Sequence, residues 1–166
     1  MTTKRITRDA LLTAIALTIF MVEAQLPALA PVPGMKLGLA NIVTVWALFT
    51  LGPLDALMIL LGRILLGAVF AGQLMALIYS LAGGLLCFLV TLLLRRVLTA
   101  RQIFIAGIFG AMAHNVGQLI AATLVLKSLA VWYYCPLLLL SGIVTGAFTG
   151  LAAQYLHARL AKSGTG

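Results

Sequence analysis

Apolar residues run through this chain in long stretches that do not alternate with polar ones. Six stretches stand out, at about 10–30, 38–52, 54–72, 74–94, 103–126 and 134–157. Most are close to the ~20 residues that an α-helix needs to cross a hydrocarbon layer. A membrane-spanning strand would alternate apolar and polar side chains, which these stretches do not. The second and third are short and meet at Gly52-Pro53, a turn signal. The pattern predicts an all-α polytopic membrane protein, with six transmembrane helices in a single domain over residues 1–166. The first stretch has a rival reading. "KRITR", an apolar run and then Ala28-Leu29-Ala30 resemble a secretory signal with a small-residue cleavage site. Pro31 directly after the cut suits cleavage poorly, so the segment is kept as span one.

Composition agrees with the pattern. Of 166 residues, 63% are hydrophobic and 8% charged, against about 25% charged in a soluble domain. The net charge is +8, which on a soluble protein would suggest nucleic acid. Here the basic residues cluster between apolar stretches, and no basic face interleaved with aromatics exists, so nucleic-acid binding is excluded. With the N-terminus inside, Lys4, Arg5, Arg8, Arg95, Arg96, Arg101, Arg159 and Lys162 are cytoplasmic. Lys36 and Lys127 lie outside, and Arg63 falls within a span. The positive-inside rule predicts that asymmetry and places both termini in the cytoplasm, in a multi-pass protein of the cell (inner) membrane. Cys87 and Cys135 read as packing residues. There is no phosphate-binding G-x-x-x-x-G-K-[ST] loop. If ATP drives this protein, another subunit supplies it.

The polar residues within the spans then carry the chemistry. Charge in the hydrocarbon core is costly and usually faces a cavity or a partner. In the six-span topology Glu23, Gln25, Lys36, Asn41, Arg63, Gln73, Tyr79, His114, Asn115 and Gln118 all fall at or outside the midplane. The outer half therefore reads as a polar pocket open to the exterior. His114 and Gln118 are one helical turn apart with Asn115 about 100° round, so one helix presents a ring nitrogen pair and two amides. The alternative is interhelical hydrogen bonding, with Asn and Gln acting as glue. Glu23 and Arg63 form a buried ion pair or touch a ligand; Arg63 and Lys36 suit a carboxylate or phosphate. Trp132, Tyr133 and Tyr134 fit an interfacial aromatic belt. Small residues recur at four-residue spacing at Gly142, Gly146 and Gly150 and at Ala10 and Ala14. Such stripes permit close helix packing, within the bundle or onto a partner.

"PGMKLGLANIV" at 33–43, Arg63 and "HNVGQL" at 114–119 resemble the Gx transporter family, also described as heptaprenyl diphosphate synthase component I. That family is similar to the substrate-binding S components of energy-coupling factor (ECF) transporters, and the resemblance covers essentially the whole chain. It implies an S-component-like six-helix bundle that binds a micronutrient near the outer face. By that resemblance residues 31–41 form a lid, with Lys36 and Asn41 facing the ligand. Ala10 and Ala14 match the A-x-x-x-A pattern that docks on a transmembrane coupling subunit, whose ATPase subunits are other chains. The family fixes no substrate. The expected ligand set is Glu23, Lys36, Asn41, Arg63, Tyr79, His114, Asn115 and Gln118, for a small polar or anionic molecule, with no cofactor and no metal. The synthase description meets a physical objection. Mg²⁺ and diphosphate need clustered oxygen ligands, and the chain has three acidic residues, Asp9, Glu23 and Asp55. The topology puts Glu23 at the opposite face from the other two, so no enzymatic activity is expected of the chain alone. The alternative is a non-catalytic membrane accessory protein of an isoprenoid or quinone pathway. A stand-alone secondary transporter would carry inverted repeats with broken helices, and no convincing repeat is seen.

Overall fold

The computed structural model describes residues 2–25, 36–72 and 74–163. Six α-helices account for most of them: α1 (Thr3–Glu23), α2 (Asn41–Thr50), α3 (Pro53–Ala71), α4 (Leu74–Leu94), α5 (Ile103–Leu126) and α6 (Cys135–Ser163). Short 3-10 turns at Ala100–Gln102 and Leu129–Tyr134 lead into α5 and α6. The described residues contain no strand. The all-helical expectation holds, and the membrane-spanning expectation holds for part of the helices. Four helices, α3 to α6, are long and apolar enough to cross a membrane. α2 has ten residues and covers about 15 Å at 1.5 Å per residue. α1 carries Lys4, Arg5, Arg8, Asp9 and Glu23 among its 21 residues. It also starts earlier than the apolar stretch and stops at Glu23, with Ala24 and Gln25 in a turn. Positions 26–35, including the small-residue motif at 28–30 and most of the expected lid, lie outside the described residues, as does Gln73.

Contacts fix the direction of each helix. Arg8 Nη2 donates to Asp55 at 2.6 Å, Thr13 lies against Gly62, and the Phe20 ring lies against Gly67. Residue numbers rise together, so α1 and α3 are parallel and the segment 38–55 returns between them. α4 and α5 are antiparallel, with Gly83 on His114 and Gly110 on Cys87 and Thr91. α5 and α6 are antiparallel too: Gly107 meets Gly146 and Gly150, and Gly142 meets Met112 and Asn115. Successive helices thus alternate in direction, and α1 begins at the end of the bundle where α6 finishes. The glycine stripe on α6 belongs to internal packing. A Cβ on Gly146 would stand 2.6 Å from the Gly107 carbonyl oxygen, closer than any side chain tolerates.

The surface is inverted relative to a soluble protein. Val69, Phe70, Leu124, Val144 and Phe148 are each more than 60% exposed, while Arg63, His114, Asn115 and Gln118 are buried. Apolar faces this extensive need an apolar surrounding, and a lipid bilayer supplies one. Ala16, Leu48, Ile59, Leu60 and Phe88 build the core between α1, α2, α3 and α4. A second core joins Tyr79 to Leu119, Ala122 and Leu138.

Candidate functional site

Four helices and the residues leading into α2 bring the polar side chains together at the end of the bundle opposite the chain termini. Gly38 is central. Its φ of +81° is left-handed backbone, which side-chain-bearing residues adopt only at a cost. Its N–H donates to Glu23 Oε1 at 2.5 Å. Its carbonyl accepts from the Asn41 N–H at 3.0 Å. Arg63 Nη2 donates to Asn41 Oδ1 at 3.1 Å. The carboxylate on α1 and the guanidinium on α3 are therefore linked through residues 38–41. No salt bridge joins them; the salt bridges among the described residues are Arg5–Asp55, Arg8–Asp9 and Arg8–Asp55. The direct Glu23–Arg63 pairing considered from the sequence is not formed.

On the other side, the Lys36 backbone N–H donates to Gln118 Oε1 at 3.2 Å, and Gln118 Nε2 lies 2.8 Å from His114 Nε2. With the amide oxygen occupied as acceptor, Gln118 Nε2 is the donor, so neutral His114 carries its proton on Nδ1, toward Gly83. Two glycines make room for this ring. A Cβ on Gly38 would stand 2.8 Å from His114 Cδ2, and one on Gly83 would stand 2.8 Å from Nδ1. Asn115 turns toward α6, where Nδ2 donates to the Leu138 carbonyl at 2.6 Å. The Lys36 ammonium sits 3.4 Å from the centroid of the Phe20 ring, and the Arg63 guanidinium sits 5.8 Å from the same centroid. Cation–π attraction of this kind holds the lysine in place. Burial lowers the pKa of that half-buried ammonium, and the nearby Glu23 carboxylate opposes the shift.

Glu23, Asn41 and Arg63 thus form one hydrogen-bonded group through Gly38, and Lys36, Gln118 and His114 form a second that packs on it at Gly38, while Asn115 faces α6. Tyr79 is buried in the apolar cluster with Leu119, Ala122 and Leu138. Among the described residues, no hydrogen bond ties it to the network. Several buried polar atoms of these residues have no partner among the described residues: Glu23 Oε2, Asn41 Nδ2, Arg63 Nε, His114 Nδ1 and Asn115 Oδ1. Such atoms normally find partners when buried, and each one left alone is costly.

The sequence reading left out Gly38, Phe20 and Gly83. Gly38 carried a signal, a glycine alone in "KLGLAN" just ahead of a helix. The other two look like ordinary lipid-facing or packing residues until their neighbours are known. It also treated Arg5 and Arg8 as topology markers alone. They ring Asp55, whose carboxylate accepts from Arg5 Nε at 2.6 Å and from Arg8 Nη2. An open cleft of about 670 Å³ lies there, lined by Thr2, Lys4, Arg5, Arg8, Leu51 and Asp55. Ala10 and Ala14 are both exposed on α1. The described residues hold no group of three or more His, Cys, Asp or Glu placed to bind a metal ion.

The family model described as heptaprenyl diphosphate synthase component I matches residues 12–156. No curated protein and no solved structure matches the chain.

Proposed function

The chain belongs to the heptaprenyl diphosphate synthase component I family, and on that footing we propose that it is the substrate-binding membrane subunit of an ECF-type uptake transporter. It takes a small polar or anionic molecule in the outer half of the bundle, and a coupling subunit with its ATPase subunits drives release to the cytoplasm. The observation that carries this reading is the cluster of buried polar side chains from α1, α2, α3 and α5, whose hydrogen-bonding capacity is only partly used. A bundle held together by polar glue would pair those groups with one another. Residues 36–41 close the site. Their N–H groups are bonded to Glu23 and Gln118, and Gly38 rests on His114, so a ligand enters when this segment lifts. The exposed Ala10–Ala14 stripe suits a docking helix of the coupling subunit. The test is native mass spectrometry of the protein purified in mild detergent, with and without washing. A small molecule retained at one copy per chain supports the reading. A chain that stays empty yet co-purifies with a prenyl diphosphate synthase would favour the second reading.

That second reading is an accessory role in an isoprenoid or quinone pathway, and the family's description favours it. In either role the chain is not an enzyme by itself. Asp9 and Asp55 share Arg8 at one end of the bundle, and Glu23 binds Gly38 at the other. The carboxylates are thus divided between two places.

A further inference from the structure

The polar network beneath residues 36–41 narrows the chemical class of the molecule it takes; the argument rests on the binding-subunit reading. Glu23 and Arg63 are 4% and 2% exposed. Opposite charges this deeply buried gain most by direct contact, because each has lost its water. Here they are held apart. Glu23 spends one oxygen on the Gly38 N–H, and Arg63 spends one nitrogen on Asn41. What remains unpaired has two poles. With Glu23 ionised, its Oε2 is an acceptor with no donor, whereas Arg63 Nε, Asn41 Nδ2 and the N–H at His114 Nδ1 are donors with no acceptor, among the described residues. Asn41 joins the poles, since its N–H bonds the same Gly38 whose own N–H bonds Glu23.

We infer that the ligand carries both poles itself: an oxyanion or carbonyl that accepts from Arg63 Nε and Asn41 Nδ2, and a protonated nitrogen or N–H that donates to Glu23 Oε2. A simple anion satisfies only the first pole and leaves the carboxylate of Glu23 facing it. A simple cation satisfies only the second. The Lys36 ammonium is held on the face of Phe20 and adds its positive charge to the Arg63 pole. The favoured class is a zwitterion or a nitrogen-containing acid, rather than a plain carboxylate or a prenyl diphosphate.

The full-length protein in lipid nanodiscs is incubated with a water-soluble small-molecule extract of yeast, washed and denatured. Released compounds are identified by mass spectrometry against empty nanodiscs. The expected result is enrichment of a compound with both a nitrogen donor and an oxyanion or carbonyl. Glu23→Gln and Arg63→Gln should each lower its recovery by about tenfold, the loss of one charge-assisted hydrogen bond. Arg63→Lys, which keeps the charge but not the Nε geometry, guards against misfolding of the glutamine variant and should also lose recovery. An enriched compound lacking either pole overturns the two-pole assignment while leaving the binding-subunit reading standing. Equal recovery by Glu23→Gln and wild type does the same. No compound enriched over empty nanodiscs overturns both.

Discussion

At the scale of single residues, the site depends on groups whose importance lies in what they leave room for. Gly38 combines a left-handed backbone with a ring packed where its Cβ would be. Gly72 is also left-handed, at φ +62°, but has nothing within 4 Å of its Cβ position. The two glycines therefore form a matched comparison. Gly72→Ala should cost about 1–2 kcal/mol from backbone strain alone. Gly38→Ala should cost more, and should also displace His114 and weaken binding. Thermal unfolding of both variants in nanodiscs checks this, and equal losses would mean that the His114 contact carries no weight. Gln118 accepts from the Lys36 N–H and donates to His114, so Gln118→Ala should cost about 1–3 kcal/mol by leaving both unpaired. That His114 and Gln118 meet was legible in their spacing on one helix, whereas Asn115 turns toward α6. Gly38 was not legible, because φ is a property of the folded chain and a glycine in a loop has many uses. Tyr79 was legible as buried, and an apolar cluster surrounds it.

At the scale of elements, two kinds of small-residue stripe separate. Gly107, Gly146 and Gly150 let α5 and α6 approach until backbone meets backbone, so a methyl group on Gly146 meets the Gly107 carbonyl and Ile108 Cα at 2.6 Å. Gly146→Ala should destabilise the protein by about 1–3 kcal/mol through overpacking. Ala10 and Ala14 are exposed on α1, with no described helix laid over them. Changing both to leucine should leave the melting temperature within a degree or two and impair co-purification with a coupling subunit. A large drop in melting temperature would return the alanines to internal packing. Four-residue spacing alone could not distinguish the stripes, because the repeat says that a helix is approached closely and not by what. The same limit applied to α1, where hydropathy placed the span at 10–30. The helix instead starts at Thr3, because Arg5 and Arg8 reach across to Asp55 on α3. Asp55→Asn weakens both pairs and should cost about 1–2 kcal/mol, the arginines being partly solvated. High salt should shrink that difference.

At the scale of the molecule, the alternating directions of six helices put Arg5, Arg8, Asp55 and His157 at one end of the bundle and Glu23, Lys36 and Gln118 at the other. The contacts of Asp55 with Arg8 and of Gly38 with Glu23 require this. α2 is too short to cross a ~30 Å hydrocarbon layer by itself, yet its two flanks make contacts about 15 residues apart on α1. The chain therefore traverses the depth of α1 with an irregular segment followed by a ten-residue helix. Irregular backbone is tolerated at membrane depth only where protein or a water-filled cavity surrounds it. Here Gln118, Glu23 and His114 surround it, which is where the candidate site lies. Charge predicts the orientation. The end with Lys4, Arg5 and Arg8 also receives Arg95, Arg96 and Arg101 from the α4–α5 connection and Arg159 from α6, whereas Lys36 and Lys127 lie at the other. Positive residues stay inside, so both termini should be cytoplasmic and the polar network should face out. Single cysteines at Pro33 and Thr99, in a background with Cys87 and Cys135 replaced, test this in intact cells with a membrane-impermeant maleimide. Pro33→Cys should label and Thr99→Cys should label only after lysis. The reverse pattern would invert the protein and place the site on the cytoplasmic side, where an uptake subunit could not capture its substrate. Labelling of both from outside would break the alternation of helix directions itself.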